Sequence, residues 1–249
     1  MQTDLHPAAV SLDPFEAIAR HSAGLADAAE SNLNAPVKGC PGWTVGDLVF
    51  HMLSVQDFWG QIVAGGLTDP EAVTRAADPP DEKLIGLFRI GAQRLVATLR
   101  SADPEASIWT WAAQKDVAFV IRHQVQEAAV HRWDAEDAAG RTFAIEAPVA
   151  VDSIEEFLTF SGRVAGPGTP RLDRPVVLAA TDAAARWAVT ETDDGELSWT
   201  RDGASGATEV SGTASDLLLY LYRRIPVSAL SVKGDLAPAE RLVSRTDTE

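Results

Sequence analysis

The feature that most restricts the fold of this chain is a single change of texture near Gly140. Before it, apolar residues recur at the three- and four-residue spacing of amphipathic helices; after it come short β-rich runs separated by turn signals. A first helix is expected from Pro14 to about Asn32, through Phe15, Ile18, Ala19, Leu25 and Ala28, with Asp13 placed to cap its start. The segment "TVGDLVFHMLSVQDFWGQIVAGG" gives a second, opened by a capping-box pairing of Thr44 with Asp47 and closed at Gly65-Gly66. A proline-broken acidic connection precedes a third helix through Leu84, Leu87, Ile90, Leu95, Val96 and Leu99. The fourth runs from about Val117 to Ala139, after the tryptophan pair of "SIWTWAAQKD". Four helices joined by one or two longer connections describe a bundle.

Beyond Gly140 one more helix is expected at "APVAVDSIEEFLTF", then strands at "RPVVLAAT", "ARWAVTET", "ELSWTRD" and "ATEVSG". The Asp-Gly step within "TDDGE" marks a hairpin turn between two of them. Helices close the chain at "ASDLLLYLYRRIP" and near "LAPAERLVSR". Strands with segregated helices indicate an α+β domain. The expected architecture is therefore multidomain α and α+β: a four-helix bundle over 1–143 and a smaller α+β domain over 144–249.

Charge narrows the partners. Acids outnumber Lys plus Arg by 36 to 21, a formal charge of −15, which opposes binding to nucleic acid or to an anionic membrane surface. With 46% hydrophobic residues the chain can build a core without staples. Cys40 is the only cysteine, so an intramolecular disulfide and a CxxC metal site are both excluded. The start has no basic stretch followed by an apolar run, and nowhere do about 18 apolar residues follow one another. A soluble cytoplasmic protein is the expectation.

The chemistry concentrates in "HQVQEAAVHRWDAE", His123 to Glu136, which has the spacing of a helix packed into a core yet carries two histidines and three acids. Glu127 and His131, four apart, lie one above the other on one helix face and can direct an oxygen and a nitrogen at a common point. His51, mid-helix among apolar residues on a neighbouring element, is the natural third donor, because an unpaired imidazole there would be costly. Two histidines and one carboxylate leave a coordination position open, the catalytic pattern for zinc. Spacing alone fits better an ordinary core in which Glu127 hydrogen-bonds His51 or His131. His123, one turn before Glu127, is either a fourth ligand or a pocket wall, and His6 and His21 are expected to face solvent. Trp133 and Asp134 are expected to lock the fourth helix against a neighbour, with Arg132 free to pair with an acid. Cys40 has no basic sequence neighbour beyond Lys38 and gives little reason to expect a nucleophile.

Three separated motifs, "CPGWTVGDLVFHM" (Cys40 to Met52), "EAAVHRWDAE" (Glu127 to Glu136) and "VSGTASDLLLYLYRRIP" (Val210 to Pro226), occur in the order that resembles the mycothiol-dependent maleylpyruvate isomerase family. The resemblance covers nearly the whole chain. It implies a DinB-like four-helix bundle followed by a domain similar to sterol carrier protein folds (SCP2-like). It also implies a divalent metal, zinc in the family, held by His51, Glu127 and His131, with mycothiol as the thiol cofactor. The family's active-site arginine falls on Arg224, while Arg223 stands where glycine is usual, and Gln126 stands where relatives often carry histidine.

The resemblance thus implies an enzyme that activates a low-molecular-weight thiol, as a metal-bound thiolate, for cis–trans isomerisation of a maleylpyruvate-like diacid or for S-transfer to an electrophilic small molecule. Arg224 would clamp a substrate carboxylate, and the residues that choose the substrate are expected between the domains. Two other readings stay open. One is a non-catalytic module binding a lipid or other small molecule around a vestigial metal site. The other is a metal-dependent hydrolase with an acid such as Asp134 as base.

Overall fold

The computed structural model describes residues 12–162, 170–201 and 203–246. His6 lies outside them. Four long helices come first: α1 (Pro14–Ala29), α2 (Val45–Gly65), α3 (Asp81–Ser101) and α4 (Val117–Ala138). Their starts are written into the side chains. Asp13 accepts from the backbone N–H groups of Phe15 and Glu16, Asp116 accepts from that of Phe119, and Thr44 and Asp47 form a complete capping box. Gly66, at φ 58°, adopts the left-handed conformation that ends α2. Helix α1 stops short of Asn32 because Glu30 and Ser31 are exposed and offer nothing to bury, and the chain turns instead, the Asn32 N–H donating to the Ala29 carbonyl.

Helix α5 (Ala147–Phe160) leads into a five-stranded sheet made of β1 (Val176–Ala180), β2 (Arg186–Glu191), β3 (Leu197–Thr200), β4 (Thr208–Gly212) and β5 (Ser231–Lys233). The spatial order is β3-β2-β1-β4-β5, with β1 and β4 parallel and the other neighbours antiparallel. The expected hairpin turn joins β2 to β3, with Gly195 at φ 84°. Helices α6 (Ala214–Leu221) and α7 (Leu236–Ser244) complete the domain. The architecture is thus a helical bundle followed by an α+β domain. No helix among the described residues is long and apolar enough to cross a membrane.

One apolar core runs from Ile18, Trp59, Leu95 and Val125 in the bundle through Ile154 and Phe157 of α5 to Trp187, Leu218 and Leu242. Burying each leucine- or phenylalanine-sized side chain contributes about 1.5–3 kcal/mol, so α5 is held against α4, and α6 against α5, by the same force that builds each half. Polar ties reinforce the seam: Ser215 Oγ accepts from the Ile145 N–H, and Tyr222, just past α6, packs its ring 4.7 Å from that of Phe157. His21, expected at the surface, is instead fully buried, with Nε2 3.2 Å from Glu146 Oε2. It falls four residues from both Ala17 and Leu25, on the buried stripe of α1.

After α6 the backbone at Arg223 takes φ 59°, the only positive value at a non-glycine among the described residues. Glycine is the residue that takes this conformation without cost. Arg223 holds it with its guanidinium donating to the carbonyls of Val243, in the last turn of α7, and of Thr246, just past it. That turn sends the next side chain, Arg224, the other way, into the bundle.

Candidate metal centre

His51 on α2 and Glu127 and His131 on α4 converge. The nearest donor atoms are Glu127 Oε2 with His51 Nε2 at 3.7 Å and with His131 Nε2 at 3.6 Å, and all three lie within 4.8 Å of one another. The two imidazole rings meet edge to face with centroids 5.1 Å apart. These separations are too long for hydrogen bonds, and Glu127 Oε2 is buried without a hydrogen-bond partner. An ordinary core pair would have closed to about 3 Å. Donors around one tetrahedral cation at about 2.1 Å stand roughly 3.4 Å apart, which is close to what the three residues present.

The charge balance also fits a cation. Burial pushes the Glu127 carboxyl up, but His51, His123 and His131 outweigh it and hold the group at about 2. Burial pushes the His131 imidazole down, yet Asp134, Cys40 and Glu127 hold it up at about 10. Carboxylates and imidazoles thus hold a proton between them, and a divalent ion would displace it there.

His131 is oriented from behind. Its Nδ1 lies 3.0 Å from Asp134 Oδ2, which leaves Nε2 directed at Glu127. A carboxylate on the far nitrogen is the usual way a ligand histidine is fixed. Asp134, with no side-chain exposure, receives a two-pronged contact from Arg224: Nε to Oδ1 at 3.0 Å and Nη2 to Oδ2 at 2.8 Å. Arg224 Nη1 donates to the Tyr222 carbonyl, and Nη2 also contacts Cys40 Sγ at 3.3 Å. Gly39 makes room for the pair, since a Cβ there would stand 2.4 Å from Asp134 Oδ1 and 2.7 Å from Arg224 Nε.

This geometry bears on three expectations. Arg224 does reach the site from the second domain, but its three nitrogens are occupied and it backs His131 instead of facing open space. Asp134, engaged on both oxygens, is no free base for a hydrolase. Cys40 has basic company after all, supplied by residue 224 and not by its sequence neighbours. Cys40, His131 and Asp134 also lie close enough to share an ion, but the Arg224 cation already fills that role.

The open side of Glu127 faces a cavity of about 540 Å³. Its lining includes His51, His123 and Glu127, together with Phe58, Trp59, Trp109, Trp111 and the segment Val73–Ala76. All of these belong to the helical half, so the cavity is not framed by both domains as expected. His123 is a wall: its ring stacks on Phe119 at 5.4 Å, Nδ1 lies 2.8 Å from Glu156 Oε1, and Nε2 stands 3.7 Å from Glu127 Oε1. Glu156, buried on α5, is absent from the sequence-derived site. Its signal was its place three residues after Ser153 and next to Phe157 on the buried stripe of that helix. Gln126 is buried, with its side chain beside Tyr222.

The chain is thus a helical bundle that brings two histidines and one glutamate together from facing helices, ahead of an α+β domain. A family model described as the mycothiol maleylpyruvate isomerase N-terminal domain matches residues 15–136, and that of the corresponding C-terminal domain matches residues 148–241. The chain belongs to the mycothiol-dependent maleylpyruvate isomerase family. A crystal structure of the mycothiol-dependent maleylpyruvate isomerase is similar over 88% of this chain and 91% of that one, at 13% identity and a TM-score of 0.58. A histidine-to-alanine mutant of that isomerase gives 12% identity and a TM-score of 0.55 over the same shares. Among curated protein sequences none matches.

Proposed function

We propose that this chain is a metal- and thiol-dependent enzyme that uses mycothiol on an electrophilic small molecule, by cis–trans isomerisation as in the isomerase of its family or by S-transfer. The observation that carries the reading is the buried, unpartnered Glu127 Oε2 held 3.6 and 3.7 Å from two imidazole nitrogens in the lining of an open cavity. His51, Glu127 and His131 are the residues that would hold a divalent cation, and zinc suits the donor set. A cation there favours the deprotonated form of a thiol and so supplies a strong nucleophile near neutral pH.

The rest is work for the chain's own groups. Asp134 keeps the His131 ring turned so that Nε2 points inward, and Arg224 keeps Asp134 charged and in place. Arg224 is in this reading a positioning residue. The aromatic walls exclude water from one side of the reacting sulfur, which preserves its nucleophilicity. His123, held by Glu156, lines the cavity next to Glu127. A low-molecular-weight thiol and a small electrophile are the partners this implies, in a cytoplasmic setting that the lone Cys40 suits.

The test is metal content by mass spectrometry on purified protein, wild type beside His51→Ala and His131→Ala. About one divalent ion per chain, lost in both variants, is the expected result. A folded wild type that neither holds nor takes up zinc would leave Glu127 and His131 as core residues of a non-catalytic binding module.

A further inference from the structure

We propose that the cavity beside Glu127 takes the flat, apolar body of an aromatic electrophile bearing at most one negative charge. The inference rests on the function proposed above and names its substrate class. Three of the seven tryptophans of the chain line this one space. Trp59 and Trp109 stack with centroids 5.9 Å apart and 27° between planes, and Phe58 stands edge-on to both at 5.1 and 5.8 Å. Trp111 meets Phe119 and His123 edge-on and is left 49% exposed. A half-exposed tryptophan at the side of an apolar cavity is surface that a ring-shaped ligand would cover and stack on.

The polar groups are few and fixed. Ser54 Oγ is buried without a partner and faces the cavity. The segment carrying Thr74 and Arg75 is pinned to α2, since Gln61 both accepts from the Thr74 N–H and donates to its carbonyl. Arg75 is exposed, and no carboxylate among the described residues pairs with it. It is the one guanidinium or ammonium group among the residues lining the cavity.

These facts discriminate between ligands. A small cis diacid brings two charges and little apolar area: it would leave the tryptophan faces uncovered, and with the open position of the centre taken by the thiol, Arg75 is the one guanidinium left for two carboxylates. A sugar or inositol ring brings hydroxyls on every edge, and away from His51, His123 and Glu127 it would find only Ser54, Thr74 and Arg75 among mainly apolar walls. An aromatic body with one anionic or polar group matches the walls, the single Arg75 and the unpartnered Ser54 together. The thiol cofactor accordingly reaches Glu127 with its sulfur and keeps its sugar groups outside the tryptophan walls.

The experiment is a titration of intrinsic tryptophan fluorescence with naphthoate as the probe, and maleate, inositol and glucosamine as competitors, on the full chain as purified. Saturable quenching by naphthoate is expected, with no displacement by millimolar maleate, inositol or glucosamine. Trp111→Ala should weaken naphthoate roughly tenfold, and because Trp111 is half-exposed the fold survives its loss. Arg75→Gln should weaken naphthoate but leave the neutral naphthamide unchanged. Displacement by maleate or by either sugar-like competitor, or equal binding by both variants, would overturn the proposal. His131→Ala separates the two readings, since its side chain is not part of the cavity wall: it should lose metal and still bind naphthoate. A metal-bearing wild type that ignores naphthoate sinks only the aromatic substrate, whereas a metal-free wild type that binds it sinks only the thiolate chemistry.

Discussion

The two sides of the Glu127–His131 pair are built on opposite principles. Behind His131, every charge has its partner: Asp134 meets His131 and Arg224, and Arg224 meets Asp134, Cys40 and the Tyr222 carbonyl. In front, Glu127 Oε2 and Ser54 Oγ are buried and unpartnered, and Trp111 and Arg75 face solvent. A native interior rarely leaves polar groups unsatisfied, so the contrast separates what holds the site rigid from what waits for a reactant. The back costs stability when broken, and the front costs function.

Breaking the back should have the largest effect. Arg224→Ala leaves the Asp134 carboxylate buried without its cation and is expected to destabilise the fold by about 3–5 kcal/mol, measured by urea denaturation. Arg224→Met with Asp134→Leu should regain much of that stability while metal retention stays lost, because nothing then orients His131. Trp111→Ala, on the front, should change stability by less than about 1 kcal/mol; a loss as large as that of Arg224→Ala would erase the distinction. Gly39→Ala tests the same wall by crowding. The added methyl falls on a short, locked carboxylate, and a cost of about 1–3 kcal/mol together with weaker zinc binding is expected.

The smallest effect belongs to a pair outside both sides. His21 and, to a lesser degree, Arg20 hold the Glu146 carboxyl at about 2, against an ordinary 4.5. A depressed carboxyl contributes stability that is complete above its unfolded value and is lost as pH falls through its folded one. Stability should therefore decline between about pH 4.5 and pH 2, and Glu146→Gln should flatten that part of the profile. The slope should be modest, because Glu146 is 42% exposed and solvent screens the pair.

Helices and caps were legible because their signals are local: Asp13, Thr44 and Asp47 cap what they precede, and apolar spacing names the buried face. The three donors were legible for a related reason, two of them being four apart on one helix and the third an imidazole stranded among apolar residues. Strand β5 left no trace, since only Val232 of its three residues is even half-buried and the edge of β4 recruits it. The support of the site was hidden by distance. Glu156 is 33 residues from His123, and Arg224 is 90 from Asp134 and 184 from Cys40. The family resemblance pointed to Arg224, but which way it faces depends on the left-handed turn at Arg223, where the chain carries arginine in place of glycine.

The position of Arg224 along the chain has a consequence in time. All three donors and Asp134 have left the ribosome while residue 224 of 249 is still to be made. Until it arrives, the helical half contains a carboxylate that must stay wet or find another cation, so the bundle has reason to remain loose around Cys40 and His131. The centre is finished by a residue made long after its ligands, and a chain cut between Asp134 and Arg224 keeps all three donors but leaves the carboxylate that aims His131 without its cation.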